Sequence, residues 1–130
     1  MNLNGFVTGI QHVGISAKDI EATIAFYTGL GFKLKLRTQN DRSKEKVAFL
    51  QLKNLTIEAY ECSSPKSNAG AVDHFALDTA DIETVYQQLQ KAGYRFESPG
   101  ILSLPFWEKG IRYFIIIGPN QEKIEFCQML

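Results

Sequence analysis

Hydrophobic and polar positions along the chain form a pattern that runs through twice. "FVTGIQHVGI" (6–15) is β-branched and apolar and predicts a strand. Ile20, Ile24 and Tyr27 then recur at helical spacing behind Asp19, whose carboxylate suits an N-cap, and Gly29 and Gly31 in "TGLGF" end that helix. "FKLKLRT", "KVAFLQL" and "LTIEAYE" follow as strands. In the second half Asp81 caps a helix carrying Ile82, Val85 and Leu89 that stops at Gly93. "YRFE", "IRYFIII" and "KIEFCQM" then read as strands, with the turn signal "GPN" at 118–120 between the last two. Each half is βαβββ, with one helix covering one sheet face.

Shifting the first half by 62 positions sets His12 on His74, Asp19-Ile20-Glu21 on Asp81-Ile82-Glu83, and Gly31-Phe32 on Gly93-Tyr94. Each half also closes on an Ile-Glu pair, at Glu58 and Glu125. The chain's only two histidines therefore occupy equivalent positions, each followed by an equivalent Glu. Internal duplication accounts for this better than chance. It predicts a single domain over 1–130, with module one at about 7–62, a linker at about 63–70 and module two at about 71–128.

Side chains alternate between the faces of a strand. If Val13 and Ile15 pack on the helix side, His12 faces the other way; Phe75 and Leu77 place His74 likewise. Ile57 and Ala59 send Glu58 to the face opposite the helix, and Ile124 and Phe126 do the same for Glu125. The expected fold is α+β, with curved mixed sheets around a pocket where two imidazoles and two carboxylates converge. That donor set suits a divalent transition ion, and its two carboxylates cancel the charge of a dication. Ni, Zn, Co, Mn and Fe(II) all remain open.

Composition narrows the class. Lys plus Arg number 14, and so do Asp plus Glu, so no net charge draws the chain to nucleic acid or to an anionic membrane. No apolar run is long enough to span a bilayer, and "MNLNGFVTGI" lacks the features of an export signal, so a cytoplasmic location is expected. Cys62 and Cys127 are read as thiols that form small wall residues, not ligands. "SPGILSLPFWEKG" (98–110) shows no clean period. Its Phe106 and Trp107 are candidates for a pocket rim or lid, with ordinary packing on the sheet edge as the alternative. Arg112, next to it, is a candidate anion contact in the substrate pocket.

Paired βαβββ modules, the opening "HVGISAKDIEATIAFYTGLGF" and the closing strands "IEAYE" and "GPNQEKIEF" resemble the vicinal oxygen chelate superfamily over about residues 8–128. Within this glyoxalase–bleomycin resistance–dioxygenase family, the set His12, Glu58, His74 and Glu125 is similar to that of glyoxalase I, lactoylglutathione lyase. The resemblance implies a divalent metal, most often nickel or zinc, held by those four residues. It implies a homodimer and a small-molecule substrate, an α-ketoaldehyde–thiol hemithioacetal isomerised through an enediolate. Glu125 would be the base and Glu58 its counterpart. The alternatives are another metalloenzyme of the superfamily (an epimerase, a thiol transferase or a dioxygenase) or a non-enzymatic drug-binding module. Glutathione users in this family carry an Arg four residues after the first His and an Asn four after the first metal Glu. Here Ser16 and Cys62 stand there, and neither replaces an Arg fork. Arg37, Lys109 and Arg112 are the cations that could compensate.

Overall fold

A computed structural model describes all residues, Met1–Leu130, and the chain divides into two compact units, Met1–Pro65 and Lys66–Leu130. The first comprises β1 (Val13–Ala17), α1 (Ile20–Gly29), β2 (Lys33–Gln39), β3 (Lys46–Leu52) and β4 (Leu55–Glu61). The second comprises β5 (His74–Asp78), α2 (Ile82–Lys91), β6 (Leu102–Leu104), β7 (Ile111–Ile117) and β8 (Lys123–Met129). Both are βαβββ modules. Each builds a four-stranded mixed sheet, ordered β1-β4-β3-β2 in one and β5-β8-β7-β6 in the other. In each the first strand lies parallel to the last, and the remaining pairs are antiparallel. No helix is long and apolar enough to cross a membrane.

Both helices begin and end by the same device. Asp19 Oδ1 accepts from the backbone N–H groups of Glu21 and Ala22, and Asp81 Oδ1 accepts from that of Thr84. The first helical N–H is taken by a side chain from the closing strand: Ile20 N donates to Glu61 Oε2 at 2.8 Å, and Ile82 N donates to Gln128 Oε1 at 2.9 Å. At the other end Gly31 (φ 103°) and Gly93 (φ 84°) adopt the left-handed turn that a Cβ would strain. The N–H of Phe32 reaches the Tyr27 carbonyl, and the N–H of Tyr94 reaches that of Leu89, closing a Schellman motif in each module.

The helix covers the sheet face that carries the core. In module one Ile20, Thr23 and Tyr27 are buried against Ala48, Leu50, Ile57 and Ala59. The third buried helix position is thus Thr23 and not Ile24; the Thr23 hydroxyl spends its polarity on the Asp19 carbonyl at 3.0 Å. In module two Ile82 and Leu89 lie over Phe114, Ile116, Ile124 and Phe126, with the Phe114 and Phe126 rings stacked at 5.2 Å.

Two segments depart from the sequence expectation. The strand expected over 6–15 starts only at Val13, whose ladder partner is Ile57. Upstream of Ile57, β4 has only Leu55 and Thr56 before the chain turns at Lys53 (φ 54°), so residues 6–11 have no strand to pair with. Phe6, Val7 and Ile10 remain exposed. "YRFE" (94–97) forms no strand, only an isolated bridge of Phe96 to Ile116. It does follow the β7 edge: Ile117 N donates to the Arg95 carbonyl and Glu97 N to the Ile115 carbonyl. The chain then leaves the edge at Ser98-Pro99-Gly100, whose Ser98 hydroxyl accepts from Ile115 N, and rejoins it as β6. Within 98–110 only Leu102–Leu104 are therefore sheet.

Candidate metal centre

The strand ladders place the histidines and glutamates by one rule in both modules. Glu58 is paired with Gly14, and Glu125 with Ala76. In each case the partner stands two residues after the His, so His and Glu share a face one strand period apart. Their neighbours Ile57, Ala59, Ile124 and Phe126 are buried on the other face, under the helix.

In module two the two side chains meet. His74 Nε2 lies 2.9 Å from Glu125 Oε2, with Glu125 mostly buried and His74 about 40% exposed. In module one His12 stands one residue before β1 and is exposed. Its ring meets Phe49 edge-on at 5.6 Å, and Phe49 is the ladder partner of Glu58. Each module thus brings one His and one Glu to the same face. Neither module by itself gathers three or more His, Cys, Asp or Glu side chains around a point.

Each ring is also held from behind by the residue before it. His12 Nδ1 hydrogen-bonds the Gln11 amide oxygen, and His74 Nδ1 donates to Asp73 Oδ2 at 2.9 Å. The other Asp73 oxygen accepts from Lys123 Nζ at 3.2 Å, and Lys123 lies 3.7 Å from Glu97. The His74 hydrogen bond, then that of Lys123, holds the Asp73 carboxyl below the ordinary Asp range. The bond to Asp73, supported by the charges of Asp73 and Glu97, raises the Lys123 ammonium.

The donor chemistry fits a divalent cation. Adjacent ligands on an octahedral ion with bonds of about 2.1 Å stand about 3.0 Å apart, close to the His74–Glu125 separation. A neutral imidazole has one N–H, yet His74 has a carboxylate on each ring nitrogen. Nδ1 faces Asp73 and Nε2 faces Glu125, so a proton or a metal cation bound at Nε2 satisfies the Glu125 carboxylate equally.

The remaining candidates lie elsewhere. Arg112 alternates with Phe114 and Ile116, so it faces α2, where its guanidinium pairs with Glu83 at 2.6 Å. Ile115, the ladder partner of Glu125, is on the opposite face. Arg37 is likewise paired with Glu21 of α1. Phe106 and Trp107 follow β6 in an exposed turn, with Trp107 at φ 66°. Trp107 and Lys109 line a shallow depression of ≈ 500 Å³ between the β6–β7 turn and Leu130, which neither His74 nor Glu125 lines. The Cys127 thiol reaches the Leu77 carbonyl at 3.8 Å, and burial, with the charges of Glu125 and Asp78, pushes it up toward the neutral form expected of a wall residue. Gln11, Asp73, Glu61 and Gln128 have no place in the sequence reading of the site. The available signal was positional: a polar acceptor precedes each His, and another follows each Glu by three.

Residues 9–101 match the Glyoxalase/Bleomycin resistance protein/Dioxygenase superfamily. An uncharacterized protein, YwbC of Bacillus subtilis (strain 168), is 38% identical over 126 residues, 92% of this chain and 96% of that protein. A glyoxalase family protein from Enterococcus faecalis superposes with a TM-score of 0.80 at 23% identity, covering 94% of this chain and 98% of that one. The fosfomycin resistance protein FosX from Listeria monocytogenes, solved with Mn(II) and sulfate, superposes at 0.72 with 15% identity, covering 96% and 95%.

Proposed function

The chain belongs to the Glyoxalase/Bleomycin resistance protein/Dioxygenase superfamily, and on that premise we propose that it is a metal-dependent lyase of the glyoxalase I type. Its substrate is the hemithioacetal of an α-ketoaldehyde and a thiol, and the reaction moves a proton between adjacent carbons. His12, Glu58, His74 and Glu125 are the metal ligands we propose. The observation that carries this reading is the 2.9 Å approach of His74 to Glu125, with the same ladder register at His12 and Glu58. The ion is divalent, nickel or zinc before cobalt, manganese or iron(II); the Mn(II) of FosX, a protein of the same fold, supports a divalent ion. We place the enzyme as a homodimer.

The bound cation would stabilise, as a Lewis acid, the oxyanion that develops as the proton leaves carbon. Glu125 takes that proton and returns it to the neighbouring carbon, with Glu58 as its counterpart from module one. The mostly buried position of Glu125 keeps water from competing for the proton. Ser16 and Cys62 offer no cation for the carboxylates of glutathione, and Arg37 and Arg112 are already paired with Glu21 and Glu83. Lys109, the third cation, lines the depression beside the β6–β7 turn, and a thiol other than glutathione is the one proposed.

Metal analysis of the purified protein and a panel of methylglyoxal hemithioacetals made with several thiols test the proposal. Turnover should require the ion, and Glu125→Gln should lower kcat by a factor of about 10² or more. Full activity after chelation, or in the Gln variant, would remove the lyase reading.

A further inference from the structure

We infer that the two repeat-equivalent histidines are unequal ligands, because an Asp73–Lys123 pair positions and polarises His74 while His12 has only a neutral amide behind it. The inference rests on the metal-centre reading and deepens it.

Behind each ring the preceding side chain presents an oxygen to Nδ1, and at His74 Glu125 presents another to Nε2. A ring that donates from Nδ1 to that oxygen turns its Nε2 lone pair away from the backbone, free to ligate. What differs is charge. Ionised Asp73 is an acceptor only, so its bond to Nδ1 is charge-assisted and shifts electron density toward Nε2, the atom that would ligate. Gln11 gives the same direction without the charge.

Asp73 is itself held in place. It precedes β5, outside the ladder, where strand alternation does not fix its side chain. Lys123 is the ladder partner of His74, and its ammonium fixes the second Asp73 oxygen while Glu97 draws it from the other side. The carboxylate is thus divided, one oxygen to the ring and one to the ammonium. In module one the residue two before the metal Glu is Thr56, which carries no charge. The repeat kept the acceptor behind each His and added a charged support behind one of them.

Module two is therefore the primary anchor for the ion. Outer partners of this kind typically contribute 10- to 100-fold in metal affinity. Asp73 is about half exposed, which places its effect near the lower end, about tenfold.

Zn2+ titration against a chromophoric chelator, with wild type, Asp73→Asn, Asp73→Ala and Gln11→Ala, tests this. Asp73→Asn keeps an acceptor and removes the charge, and should weaken Zn2+ about tenfold. Asp73→Ala should weaken it at least as much, and Gln11→Ala by less than about threefold. The second readout needs no metal. With two histidines in the chain, ¹⁵N spectra of the labelled rings at alkaline pH report each tautomer separately. Asp73→Ala should move the His74 ring toward the Nε2–H tautomer that Glu125 accepts and leave His12 unchanged, which also checks that the variant is folded. Unaltered Zn2+ affinity in Asp73→Asn, or a loss in Gln11→Ala equal to it, overturns the inequality. An unaltered His74 tautomer in Asp73→Ala overturns the positioning role. A wild-type protein that takes up no Zn2+ removes the metal reading instead, and the tautomer spectra still decide what Asp73 does.

Discussion

Glu61→Ala should destabilise module one by an amount set by a single hydrogen bond. Ile20 N is the first donor of α1 and has no partner within the helix; it donates to Glu61 Oε2 at 2.8 Å. Ile20 is fully buried with the carboxylate in place, and Ala leaves its N–H without that acceptor. An unsatisfied buried N–H costs about 1–3 kcal/mol. A carboxylate at the positive end of a helix contributes a further ~0.3–1 kcal/mol. Asp19 does not compensate, because its Oδ1 already serves Glu21 and Ala22. Glu61→Ala should therefore cost about 2–3 kcal/mol. Glu61→Gln keeps the acceptor, as Gln128 does for α2, and should cost no more than about 1 kcal/mol. Urea unfolding followed by circular dichroism measures both. Glu61→Ala should lower the midpoint by about 1 M at an unchanged slope. An Ala variant within about 0.5 kcal/mol of wild type, or a Gln variant as unstable as the Ala variant, would show that this bond does not hold the helix to the strand.

Two further outcomes concern module two. Phe114 is fully buried between Tyr86, Phe96 and Phe126, so Phe114→Ala should cost about 3–5 kcal/mol in the same unfolding assay, and a loss under about 1 kcal/mol would mean the site collapses around the vacancy. Asp81 is held below its ordinary value by the Thr84 hydroxyl and then the Thr84 N–H; because the folded value is the lower one, its capping contribution is present above about pH 3.9 and is lost as pH falls through the folded value. Asp81→Asn should thus be less stable than wild type near neutrality, with the gap closing in acid; a gap that is constant with pH would assign the effect to shape alone.

The sequence makes legible those parts of the fold in which local signals and the ladder agree. β3, β4, β7 and β8 coincide with runs of alternating or continuous apolar residues bounded by turn residues. Both helices begin after Asp and end before a Gly at positive φ. The misses are ladder effects. A strand extends only as far as its neighbour, so the apolar Phe6, Val7 and Ile10 lie outside β1. β6 is a Leu-Ser-Leu triplet too short to display a period, and what makes it a strand is the free edge of β7. Arg112 could have been placed correctly: the alternation that buries Phe114 and Ile116 sends it to the helix side, and its adjacency to the Phe106–Trp107 turn has no bearing on that.

The same reasoning explains why half of each His–Glu environment was readable and half was not. Glu58 and Glu125 lie inside paired strands, where parity fixes the face regardless of what the residue does. Gln11 and Asp73 precede their strands, where parity ceases to apply, and no alternation in the sequence says that they turn back toward the adjacent rings. Duplication accounts for the shared register, and divergence enters where the ladder does not constrain the chain. Gln11 and Asp73 could come to differ in charge without disturbing a strand, a helix or a core residue. The difference between the two histidines therefore costs the fold little, and variants at 11 and 73 should move metal affinity and ring tautomer with unfolding free energies within about 0.5 kcal/mol of wild type.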